Sequence, residues 1–72
     1  MEVKLFASLR EGHGKTAHID WQNGICGHDI FKALNIQPQA VSIYLVNGKN
    51  ANPEDSLFQG DIVSLFPPIG GG

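Results

Sequence analysis

The residues able to carry acid–base, nucleophilic or metal chemistry are few and scattered. By local pattern, His13, His18 and His28 fall in a turn, a strand and a helix start. Nothing in that spacing gathers them around a proton or a metal. Cys26 is the single cysteine. It closes no internal disulfide, builds no Cys₂ or Cys₄ metal site, and has no base placed beside it by spacing. Its expected role is as a small packing residue or at the start of a helix. Glu54 and Asp55 are the only adjacent carboxylates and read as a solvated turn. Trp21 is expected to cover one end of the core. No constellation here catalyses a reaction alone.

The end of the chain, "PPIGGG" from Pro67 to Gly72, is different. With glycine at about 7% of average residues, three in a row have a chance on the order of 0.03%. The chain's own richness in glycine, 9 in 72, raises that severalfold without making it ordinary. Gly70, Gly71 and Gly72 lack Cβ atoms, so they can thread a channel where a side chain would clash. Pro67 and Pro68 stiffen the exit and aim it away from the body. Ile69 supplies one apolar anchor. "GGG" is not a phosphate loop, because neither a lysine nor a helix follows it. Its terminal carboxylate is the candidate working group. A carboxylate is a poor acyl donor; attack on ATP would make it an acyl-adenylate, from which a sulfur or nitrogen nucleophile displaces AMP. That catalysis would belong to a partner. The rival readings are a slack terminus, a domain boundary or a remnant of cloning.

The rest must position that tail. "VKLFASLR" alternates as a strand, with Val3, Leu5, Ala7 and Leu9 on one face and Lys4, Phe6, Ser8 and Arg10 on the other. "EGHGK" is a glycine-rich turn and "KTAHIDW" a return strand. "CGHDIFKALN" carries Ile30, Phe31 and Leu34 at helical spacing, with Asp29 near the start where the dipole favours an anion. Asn35 closes that helix in the left-handed region and Pro38 prevents its continuation. "AVSIYLVN" is a buried strand turned by "NGK". A helical turn is expected around Glu54 to Leu57, and "DIVSLF" is the last strand, ended by Pro67. A hairpin, one crossover helix and further strands make an α+β domain over residues 1–66, with 67–72 as an extended tail. The order permits a β-grasp, with the first and last strands adjacent in a mixed sheet and the helix on one face.

In the last strand Val63 and Leu65 share the core face, while Ile62, Ser64 and Phe66 point away. Phe6 lies on the corresponding outward face of the first strand, which also carries Arg10. Two phenylalanines on the uncovered side, beside the tail, form a candidate docking surface. The alternative is that a loop or a bulge hides one of them.

Composition narrows the class. Seventy-two residues make one small domain, with 42% hydrophobic residues to build its core. A net charge of −2 without a basic cluster argues against nucleic acid. No apolar run approaches the roughly 20 residues of a membrane span, and "MEVKLF" lacks a secretory layout. A cytoplasmic protein is expected, in keeping with the lone cysteine.

"LFASLRE", "LVNG" and "GDIVSLFPPIGGG" together resemble the MoaD/ThiS sulfur carriers, most closely the molybdopterin-synthase small-subunit (MoaD) group, over essentially the whole chain. The resemblance implies a ubiquitin-like β-grasp with a flexible glycine tail. It implies that Gly72 is adenylated by a ubiquitin-activating-type (MoeB/ThiF) enzyme using ATP, and that a sulfur donor converts it to a thiocarboxylate. In the molybdopterin branch the sulfur passes to a precursor held by a large (MoaE-type) subunit, in a heterotetramer. No bound cofactor or metal is implied. Gly70 and Gly71 would thread the partner's site, with Phe6 and Phe66 at outward aromatic positions used against partners. Thiamine synthesis, tRNA thiolation, attachment to lysines and a purely non-covalent interaction module are the alternatives. Two features depart from the pattern: Cys26–Gly27 where many relatives begin the helix with threonine and an apolar residue, and Gly70 where they often carry alanine or threonine.

Overall fold

The computed structural model describes residues 1–68. Five strands form one sheet in the order β2-β1-β5-β3-β4. Their ranges are β1 Glu2–Leu5, β2 Thr16–His18, β3 Ile43–Val46, β4 Lys49–Asn50 and β5 Ile62–Phe66. β1 pairs antiparallel with β2 and parallel with β5, in the register Val3↔Val63 and Leu5↔Leu65. β5 pairs antiparallel with β3 on its other side. The first and last strands are therefore neighbours at the centre, and the sheet is mixed. One helix, α1 at Gly27–Ala33, crosses between β2 and β3. This is the ubiquitin-like β-grasp.

The core lies between α1 and one face of the sheet. Val3, Leu5, Ile30, Val63 and Leu65 have no exposed surface, and Phe31, Tyr44, Leu9, Ile36 and Leu57 close around them. Alternation along β1 and β5 puts these strand residues on one side, as a half-covered sheet requires.

The ends of α1 are fixed locally. Cys26 precedes the first turn; its backbone N–H donates to Asp29 Oδ2 at 3.0 Å, and its thiol donates to the same oxygen at 3.5 Å. The backbone bond, then the thiol bond, hold the Asp29 carboxyl below its usual pKa. Asn35 ends the helix with φ +57°. Asn35 N–H then donates to Lys32 O and Ile36 N–H to Phe31 O, the paired bonds of a Schellman close. Gly27 is required for a different reason. A Cβ there would lie 2.6 Å from the Tyr44 ring, so the bare backbone admits that ring against the helix. Tyr44 meets Phe31 edge-on at 5.9 Å. The departure at Cys26–Gly27 is thus matched by a large residue opposite.

Three expectations require correction. The first strand ends at Leu5 rather than running to Arg10: Ala7 takes φ +53°, and Ala7–Arg10 form a 3₁₀ turn. Ala7 is accordingly exposed, although Leu9 still returns to the core. No helical turn forms around Glu54 to Leu57. Backbone pairing wins there, because Leu57 N–H donates to Ile25 O at 2.7 Å and Ser56 bridges to Cys26. The strand read from "AVSIYLVN" is only Ile43–Val46, with Pro38–Ala40 in a 3₁₀ turn and Ile43 39% exposed.

The family-like "NG" and "GD" have structural roles. Asn47 and Gly48 both have positive φ, which closes the β3–β4 hairpin tightly. Asn47 Nδ2 donates to Asp61 Oδ1, and Asn47 Oδ1 accepts from the Ile62 N–H, each at 3.0 Å. The hairpin is thereby clasped to the start of β5.

Candidate functional site

The face of the sheet without a helix carries the site. Because Lys4 pairs with Ser64 and Leu5 with Leu65, continuing the register sets Phe6 opposite Phe66 on the outward side. The rings stack with centroids 4.1 Å apart and planes within 6°. Such pairs contribute roughly 0.5–1.5 kcal/mol beyond area burial. Phe6 N–H donates to Leu65 O, so the backbone is still sheet-like at that residue before Ala7 turns it away.

That turn brings back Arg10. Its Nε donates to Leu5 O at 2.8 Å, and its guanidinium carbon lies 5.4 Å from the Phe6 ring centroid. Arg10 therefore belongs with Phe6 as expected, but the 3₁₀ turn places it there rather than strand alternation. Arg10 and Phe66 thus both lie against Phe6, and a guanidinium–ring contact is worth roughly 0.5–1 kcal/mol at an exposed site. Ile43, the antiparallel partner of Phe66, extends the apolar strip across a third strand. The sequence reading missed Ile43. Its signal was the alternation of β3, in which Tyr44 faces the core and its neighbour must face out.

The strip stands at the root of the tail. Ser42 N–H donates to Phe66 O at 2.7 Å, so β5 is bonded into the sheet through its final residue. Pro67 follows half-buried and Pro68 exposed, neither with an N–H to continue a ladder. Ile69, Gly70, Gly71 and Gly72 lie outside the described residues.

The other reactive side chains stay apart. Among the described residues, no three of His, Cys, Asp and Glu could share a metal ion. His28 packs edge-on against Phe31, His18 Nε2 lies 3.4 Å from the chain's amino group, and His13 sits in the first turn region. The Cys26 thiol donates to the Asp29 carboxylate, as part of the helix start. Trp21 Nε1 donates to Leu57 O at 2.8 Å, consistent with a cover over one end of the core. No helix among these residues is long and apolar enough to cross a membrane. What this arrangement offers is an apolar, partly cationic contact plate where β5 ends.

Comparison with known proteins narrows this ubiquitin-like fold to the sulfur carriers and modifiers. The ThiS family model matches residues 3–72, so the chain belongs to the ThiS family of ThiS/MoaD-like ubiquitin-like proteins. SAMP1 from Haloferax volcanii is similar at 28% identity, covering 99% of this chain and 97% of that one, with a TM-score of 0.79. A second structure, of H. volcanii small archaeal modifier protein 1, matches at 26% identity over 94% and 95%, with a TM-score of 0.76. A putative molybdopterin converting factor subunit 1 from Pyrococcus furiosus shares the fold, at 22% identity over 94% and 95% and a TM-score of 0.76.

Proposed function

We propose that this protein is a sulfur carrier whose Gly72 carboxylate is the site of covalent chemistry, and that it serves as the small subunit of a molybdopterin synthase. The observation that carries the reading is the family match running through Gly72, so that the glycine tail belongs to the matched pattern. The stacked Phe6–Phe66 pair at the tail's root supports it, since a partner binding there receives the tail as well.

The chemistry follows from the poor leaving ability of a carboxylate oxygen. A Gly72 oxygen attacks the α-phosphorus of ATP on an activating partner; pyrophosphate leaves and an acyl-adenylate forms. A sulfur nucleophile then adds to the acyl carbon and AMP departs with the bonding pair. A hydrosulfide nucleophile gives the thiocarboxylate directly; a persulfide gives an acyl disulfide, which a partner thiolate cleaves, leaving the thiocarboxylate on the glycine and a disulfide on the partner. Gly70 and Gly71 thread the catalytic site, Ile69 anchors the tail, and Pro67 and Pro68 direct it. Phe6, Phe66 and Arg10 form the docking plate. Catalysis belongs to the activating enzyme and to a large synthase subunit that accepts the sulfur, and the setting is the cytoplasm.

A second reading shares the activation step and changes the acceptor. Similarity to SAMP1 and to a small archaeal modifier protein favours a modifier, in which a lysine amine takes the acyl group. Intact-mass analysis after incubation with an activating enzyme, ATP and a sulfur donor separates the two. The carrier gains the mass difference of sulfur for oxygen at Gly72, and the gain disappears on deletion of Gly72. Isopeptide-linked Gly72 on lysines of other proteins, without thiocarboxylate, would select the modifier. An unchanged mass together with no isopeptide-linked Gly72, under an enzyme active on another carrier, would defeat both.

A further inference from the structure

We infer that the free edge of β2, with the groove between β2 and α1, docks an extended peptide of a partner protein that carries an aliphatic residue flanked by lysine or arginine. β2 ends the sheet on one side. Leu5 N–H donates to Lys15 O, Ile19 N–H donates to Met1 O, and the Met1 amino group donates to Ile19 O. Lys15 and Ile19 thus bond inward to β1, and antiparallel alternation makes Ala17 do the same opposite Val3. Thr16 and His18 therefore turn their N–H and C=O groups off the sheet. Because the bonding runs from Lys15 to Ile19, the extended edge is longer than the strand Thr16–His18 itself. Such an edge is a template for one more strand, which main-chain hydrogen bonds would hold.

The groove beside this edge decides which strand fits. Its volume is about 440 Å³; Ile19, Ile25 and the helix residue Ala33 supply its apolar surface, and Asp20 and Asp29 stand in its polar lining. Ala17 and Ile19 face the helix side of the sheet, so every second side chain of an added strand falls over the groove. Both Cys26 bonds to Asp29 fall on Oδ2, which leaves Oδ1 unclaimed among the described residues. The basic side chains whose charges reach Asp29, those of Lys32 and His28, line a separate recess. Carboxylates with no cation between them repel an acidic strand and attract a basic one. The matching pattern has an aliphatic residue and a lysine or arginine two places away, on one face. A second copy pairing edge to edge would bring its own Asp20 and Asp29 to the same seam, and so complements the groove less well. The groove adjoins the start of β1, where Glu2 pairs with Ile62, whereas the tail leaves the far end of β5, five residues or on the order of 15 Å away at strand rise. A peptide bound here leaves the tail and the Phe6–Phe66 plate open, so the site goes beyond the carrier reading and does not depend on it.

The test is an amide-shift titration of the full chain with the peptide acetyl-TKTITKT-amide, whose lysines and isoleucine share one face, to about 2 mM, where dissociation constants near 1 mM register. The expected result is saturable shifts centred on Thr16, His18, Asp20, Ile25, Asp29 and Ala33, with slowed hydrogen exchange at the Thr16 and His18 amides. The counterpart acetyl-TETITET-amide should bind at least tenfold more weakly. Asp20→Lys, at an exposed position, should weaken the lysine peptide at least fivefold and leave the melting temperature in place. An absence of shifts, shifts centred on Phe6 and Phe66, or equal binding of the two peptides would each overturn the proposal. So would β2 shifts on dilution of the chain alone, which would assign the edge to a second copy. The two peptides compared on the wild-type chain decide the matter even if the variant folds poorly.

Discussion

On the helix side of the two central strands, Val3, Leu5, Val63 and Leu65 have no exposed surface, while one residue along on the other side Phe66 is half open and Ile62 is 36% exposed. The same two strands thus present a closed face and an open one. The closed face is filled by groups that fit each other to within a methyl, as Gly27 under Tyr44 illustrates. The open face carries a stack that satisfies its own rings yet keeps an apolar edge in water. Substitutions on one face should therefore be read in stability, and on the other in partner-dependent chemistry.

The sharpest way to break that division is Leu65→Ala. Removing a wholly buried leucine costs about 2–5 kcal/mol, a large share of what a domain of this size possesses, and urea melts should show partial or complete unfolding. Gly27→Ala comes next, at about 1–3 kcal/mol from overpacking, because its new methyl must displace the Tyr44 ring. Tyr44→Leu combined with it should recover part of the loss, a coupling that distant sites would not show.

The closed face also predicts a pH dependence. Burial first, then the charges of Cys26, Asp61 and Asp55, push the Tyr44 phenol up to about 12. An unfolded phenol ionises near 10, so this contribution is whole below about pH 10 and is lost as pH climbs from there to about 12. Tyr44→Phe should flatten that alkaline loss in melts across this window. At neutral pH it should cost little, because the Tyr44 hydroxyl has no hydrogen-bond partner among the described residues. On the open face, Phe66→Ala removes the stack and the cover of a half-buried ring and should cost about 1–2 kcal/mol, at roughly 4–8 °C in melting temperature per kcal/mol, and Arg10→Ala less again.

Much of this is legible in the sequence. The outward direction of Phe6 and Phe66 followed from period-two alternation, and Asn35 at the helix close and Asn47–Gly48 at the hairpin followed from residues that tolerate positive φ. Ala7 is not legible, because alanine carries no signal for a left-handed backbone, so alternation alone overextends the strand. The loop from Asn52 to Asp61 escapes local pattern for a related reason. Its course is set by long-range pairing with Ile25 and Cys26, which no local pattern encodes. The fit of Gly27 to Tyr44 likewise depends on two residues distant in sequence meeting in space.

The central claim is that the open face beside the tail governs delivery of the terminal carboxylate, while the closed face only holds the fold. An intact-mass time course of Phe66→Ala against wild type, with activating enzyme, ATP and sulfur donor, tests it most directly when paired with a melting curve. The account predicts a folded variant whose gain of sulfur at Gly72 is slowed at least tenfold, about 1.4 kcal/mol or more in the rate-limiting encounter. A folded variant that gains sulfur as fast as wild type would contradict it.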